Sequence, residues 1–133
     1  SQAKRASSGQ APELNVPRGS VDLAGILPLE DGYSVAAVFE KKAELAGQEI
    51  AVRGRVVKFT PMVMGTNWLH IQDGTGESGS NDLVVTSAMQ AKKGDLVIVG
   101  GVVVLDKDIG HGKPYAVVLE NSTISKPGLE LSD

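Results

Sequence analysis

The sequence predicts an all-β domain, a small five-stranded barrel closed on itself with one helix ahead of it. Three observations carry this. After residue 48, five consecutive stretches have the composition and alternation of strands. The fourth of them is interrupted midway by Gly100-Gly101, where a strongly curved strand needs a bulge or a sharp bend. Only one stretch, 34–46, has helical periodicity. A chain of 133 residues suits a single domain, and a sheet this small removes its open edges by closing.

Taken in order, residues 1–20 (SQAKRASSGQAPELNVPRGS) lack periodicity and read as a flexible arm or linker. Residues 21–47 hold an extended segment and a packing helix. Pro28 and Gly32 break the segment, and Ser34 is placed to cap the helix by accepting from a first-turn N–H. Val35, Val38, Phe39 and Leu45 share one helical face, Glu40, Lys41 and Glu44 face water, and Gly47 suits the C′ position. In EIAVRGRVVKF (49–59), Ile50, Val52 and Val56 alternate with Arg53 and Arg55. In NWLHIQD (67–73), Leu69 and Ile71 point one way, Trp68, His70 and Gln72 the other. DLVVTS (82–87) is a short strand and AMQAKKGD (88–95) a turn with room for one helical turn. LVIVGGVVVLD (96–106) and YAVVLENSTIS (115–125) complete the set, and residues 126–133 form a tail.

Composition sets limits. Apolar residues make up 41% and the net charge is −3, which favours a globular domain and argues against a strongly basic nucleic-acid binder. The absence of cysteine removes thiolate metal sites, disulfides and cysteine nucleophiles. No apolar run reaches the length of a transmembrane helix. The loop GTGESG (74–79) fits G-x-G-x-x-G, but a strand follows it rather than the helix a dinucleotide site requires, so it reads as a hairpin loop. GHGK (110–113) lacks the spacing of a phosphate-binding loop. His70 and His111 have no evident Ser–Asp partner set, so the expectation is a non-enzymatic protein with no cofactor.

The stretches LAGQEIAVRGRVVKF, NWLHIQDGTG, DLVVT and KKGDLVIVGGVVVLDKD, spanning about 45–125, resemble the OB-fold barrels of the tRNA-anticodon-binding type. They resemble in particular small exported bacterial proteins of that kind. The resemblance implies a five-stranded OB-fold Greek-key barrel over 48–125, a periplasmic or otherwise exported location, and a binding role. In such barrels ligands lie on strands 2 and 3 between the loops joining strands 1–2 and 4–5. Those loops are here TPMVMGT (60–66) and KDIGHGKPY (107–115). The resemblance therefore implies a ligand surface of Arg53, Arg55, Trp68, His70, Lys107, His111, Lys113 and Tyr115. Single-stranded nucleic acid or a nucleotide-like ligand would stack on Trp68 and Tyr115 and set phosphates on the cations. A protein-interaction or scaffolding domain is the alternative.

Met62, Met64 and His70 give a further alternative, a soft-metal site, because thioether and imidazole donors suit Cu(I) or Ag(I). The set is similar to that of a periplasmic copper/silver chaperone, also a small barrel, although here the methionines precede the tryptophan. Methionines filling a hydrophobic gap are the competing explanation.

Overall fold

The computed structural model describes residues 21–110 and 112–126. Two short helices, α1 (Val35–Glu40) and α2 (Lys42–Leu45), precede five strands: β1 (Glu49–Val63), β2 (Thr66–Gln72), β3 (Leu83–Ser87), β4 (Leu96–Lys107) and β5 (Tyr115–Ser125). The strands form a closed barrel in the order β1-β2-β3-β5-β4. Neighbours are antiparallel except β3 and β5, which run parallel. The arm 1–20 and all but the first residue of the tail 126–133 lie outside the described residues.

β1 makes closure possible. Its first half pairs with β4, from Glu49↔Val102 to Arg55↔Leu96. Its second half pairs with β2, from Arg55↔Gln72 to Val63↔Thr66. The ladder with β2 shifts register between Val56 and Lys58 and again between Thr60 and Val63, and such bulges bend and twist a strand. Inside, Val52, Val56, Leu69, Ile71, Val85 and Leu119 are fully buried, as period-2 alternation requires. Val35, Val38 and Leu45 join the same core, so the N-terminal helical segment supplies part of the barrel's packing.

The helix expected over 34–46 is two pieces. Ser34 caps α1 as expected, its Oγ accepting from Ala37 N at 3.1 Å. The chain then breaks at Lys41 (φ −106°, ψ 17°) and α2 restarts at once. The break precedes a change of task. Gly47 N donates to Val103 O at 2.8 Å and Val103 N to Gln48 O at 3.0 Å, so the chain is already pairing with β4.

The bend expected at Gly100-Gly101 is shared between two strands. Gly100 faces Thr123 and Val102 faces Glu120, so β5 places two residues, Asn121 and Ser122, against Gly101 alone. A Cβ on Gly101 would collide with Ser122 Oγ and lie 2.8 Å from Glu120 O. The 88–95 connection carries turns and no helix, and it is tied down by Gly94 N to Val56 O (2.7 Å) and Val56 N to Asp95 O (2.8 Å). Among the described residues no helix is long and apolar enough to cross a membrane.

Candidate functional site

With Leu69 and Ile71 committed to the interior, Trp68 and His70 stand on the outer face of β2. The register sets Thr60 and Lys58 of β1 beside them, and Thr86 and Val84 of β3 on the other side. β5 continues the face, through Val118 beside Val84. A second apolar cluster forms here, outside the barrel: Trp68, Val84 and Val118, flanked by Val63, Ile109 and Tyr115. Val63 comes from the β1–β2 hairpin and Ile109 from the β4–β5 loop, so both connections border one face.

The hairpin is built more tightly than a loop of 60–66. β1 runs on to Val63, which pairs with Thr66, leaving Met64-Gly65 as a two-residue turn with φ of 54° and 82°. Both values are positive, the backbone a type I′ turn needs, and Gly supplies the second at no steric cost. Asn67, buried, accepts from Met62 N at 3.0 Å and donates to Met89 O at 2.9 Å. Trp68 Nε1 donates to Val63 O at 2.8 Å. The indole thus has its polar atom satisfied and fixes the hairpin to the face.

Two clefts share Trp68 as a wall. One, of about 200 Å³, is lined by Lys58, Thr60, Val63, His70, Ile109 and Tyr115 besides Trp68. The other, of about 150 Å³, is lined by Met64, Thr66, Thr86, Lys107, Glu120 and Asn121 besides Trp68. The Trp68 and Tyr115 rings lie 5.9 Å apart at a tilt of 37°, within the range of favourable aromatic pairs. In the second cleft Lys107 Nζ pairs with Glu120 Oε2 at 2.6 Å.

His70 has a partner that strand alternation does not reveal. Its Nδ1 donates to Asp82 Oδ2 at 2.5 Å, and Gln72 Nε2 donates to Asp82 Oδ1 at 2.8 Å. Burial alone would raise the Asp82 carboxyl. The hydrogen bonds from His70 and Gln72, with the charges of His70 and Lys58, outweigh it and hold the group below its ordinary value. A carboxyl lowered in the folded state stabilises the fold above the unfolded pKa, about 3.9, and loses that contribution as pH falls through the folded value. Asp82→Asn is therefore expected to flatten the acid limb. Urea midpoints of wild type and variant should converge as pH drops from about 5 to about 2. Curves that stay parallel would mean the contacts carry no net charge preference.

The remaining expected ligand residues separate into groups. Trp68, His70 and Tyr115 line one cleft, and Trp68 and Lys107 the other. Arg53 and Arg55 are engaged elsewhere: Arg53 Nη1 donates to Leu27 O (3.1 Å), Arg55 Nε to Asp22 O (3.2 Å) and Arg55 Nη1 to Gly94 O (3.3 Å). They hold the extended 21–33 segment and the 88–95 turn against β1. Lys113 is exposed on the β4–β5 loop, and His111 lies outside the described residues. Met62 and Met64 are 70% and 62% exposed rather than filling a gap. Met64 and His70 line different clefts, and Met62 lines neither. Among the described residues no group of three or more His, Asp or Glu stands together as a metal site.

The glycine-rich loop also finds its role. Asp73 Oδ2 accepts from Val35 N at 2.9 Å, and Thr75 Oγ1 accepts from Ala36 N at 3.0 Å while donating to Asp73 Oδ1 at 2.5 Å. With Ser34 on Ala37 N, three first-turn donors of α1 are satisfied. The loop does meet a helix N-terminus, but one from earlier in the chain, and a carboxylate of the protein already occupies it. Neither protein-family models nor curated proteins give a match to this chain.

Proposed function

We propose that the chain is a non-enzymatic binding module of OB type that takes single-stranded nucleic acid or a nucleotide-like ligand on the outer face of β2, β3 and β5. The observation that carries the reading is the pair of clefts flanking Trp68, bordered by the β1–β2 hairpin and the β4–β5 loop. The barrel's strand order, with its parallel β3–β5 contact, supports it as well. Aromatic rings give a base something to lie against, and Lys58 and Lys113 give phosphates their counter-charge, with Lys107 joining them by giving up Glu120. Arg53 and Arg55 take no part, because their guanidinium groups hold the protein's own backbone.

Trp68 is the only tryptophan, so its fluorescence reports on this face directly. Titration with a short oligothymidylate is expected to change the emission. Log affinity should fall with log salt with a slope of about −2, three phosphate contacts at about −0.7 each. Met62 and Met64, exposed on the hairpin, favour a protein partner as the second reading. Absence of any binding at low salt would overturn the nucleic-acid reading and leave that one.

A further inference from the structure

We propose that the cleft holding Lys58 and His70 is a phosphomonoester site, taking the phosphate of a mononucleotide or of a strand end while the adjoining base lies along Ile109 and Tyr115. The proposal rests on the nucleotide-binding reading and names the part of the ligand that this cleft selects.

His70 Nδ1 is taken by Asp82, so Nε2 is the ring nitrogen left for a ligand, and the residue lines the cleft. A carboxylate on one ring nitrogen fixes the orientation of the imidazole and turns its other nitrogen to the cleft. Gln72 holds the second carboxylate oxygen, so Asp82 is itself held in place. Lys58 stands beside His70 in the β1–β2 register, is exposed, and among the described residues makes no ion pair. The Lys58 cation and the His70 ring therefore border one small cleft, whose other lining is Val63, Ile109, Tyr115 and the Trp68 ring. Charge at one end and an apolar wall at the other match a phosphate joined to an aromatic base. At about 200 Å³ the cleft is smaller than a drug-sized pocket, which suits a single nucleotide rather than a run of them.

Asp82 ahead of β3, Lys58 on β1 and Tyr115 on β5 are the charged and titratable groups facing His70. On the β4–β5 loop Asp108 turns its carboxylate to Gly110 N at 2.8 Å. A phosphate is recognised by charge and directed N–H donors, so preference for a phosphorylated over an unphosphorylated ligand is the signature of this site.

The test uses the full chain and Trp68 emission, with thymidine, thymidine 5′-monophosphate, inorganic phosphate, and oligothymidylate with and without a 5′-phosphate as probes. The monophosphate is expected to bind wild type about tenfold more tightly than thymidine. Lys58→Ala, at an exposed side chain, and His70→Gln should each weaken the monophosphate and leave thymidine unaffected. Tyr115→Phe should keep the wild-type preference. Tighter binding of the free mononucleotide, or of the 5′-phosphorylated strand, assigns the source and supports the site in either case. Equal binding of phosphorylated and unphosphorylated strands would overturn the phosphomonoester site while leaving the nucleic-acid reading intact. If no probe binds, both fall.

Discussion

Trp68→Ala is expected to lower the free energy of unfolding by about 3 kcal/mol, at the low end of the range for removing a packed large aromatic. Trp68 is only 8% exposed, although it sits outside the barrel. Its ring is covered by Val84 and Val118 beneath and by Val63, Ile109 and Tyr115 around it. Removing it strips the shared wall from both clefts and frees the hairpin that its Nε1 ties down at Val63 O. Trp68→Phe keeps most of the packing and loses only that hydrogen bond, so a loss of about 1 kcal/mol is expected. Urea denaturation followed by circular dichroism checks both, since the fluorophore is absent. An alanine variant within 1 kcal/mol of wild type would show that the outer cluster is not a packed unit.

The second large effect is remote from that face. Asp73→Ala is expected to cost about 2–3 kcal/mol, because it removes a helix cap and leaves buried donors without partners. The carboxylate accepts from Val35 N across 38 residues of sequence and from Thr75 N and Oγ1 within its own loop. Thr75 in turn accepts from Ala36 N, so the loss of Asp73 loosens two caps together. Asp73→Asn retains one acceptor oxygen and should fall between wild type and alanine. The same denaturation curves report the order. If alanine and asparagine variants equal wild type, α1 is held by its apolar face alone.

The strands were legible in the sequence because alternation decides which side of a closed sheet each residue faces. Leu69 and Ile71 went inward and Trp68 and His70 outward, as the pattern of 67–73 requires. Lys58 shows where that reasoning fails. Strict alternation from Val52 and Val56 sends it into the core. The register shift between Val56 and Lys58 reverses the phase and sets it opposite His70 on the outer face. Nothing in GRVVKF announces a bulge. Asp82 escaped notice for a different reason. The loop between β2 and β3 is long, so the register that brings Asp82 to His70 is set only once β3 has paired with β2. Asp73-Gly74 has the residue types of an ordinary turn; that Asp73 also caps a helix from much earlier in the chain is a property of the packed fold. Alternation sets Arg53 and Arg55 opposite the core residues of β1, yet what they meet there, the backbone of the 21–33 segment, is a tertiary fact.

The most direct test of the account is a ¹H–¹⁵N correlation spectrum of the full chain, titrated with a short oligothymidylate at low salt. The account predicts that shifts concentrate on Lys58, Thr60, His70, Ile109 and Tyr115 and on the indole N–H of Trp68, while Arg53, Arg55 and α1 stay unmoved. Shifts centred on Arg53, Arg55 or the helices, or no shifts at all, would contradict it.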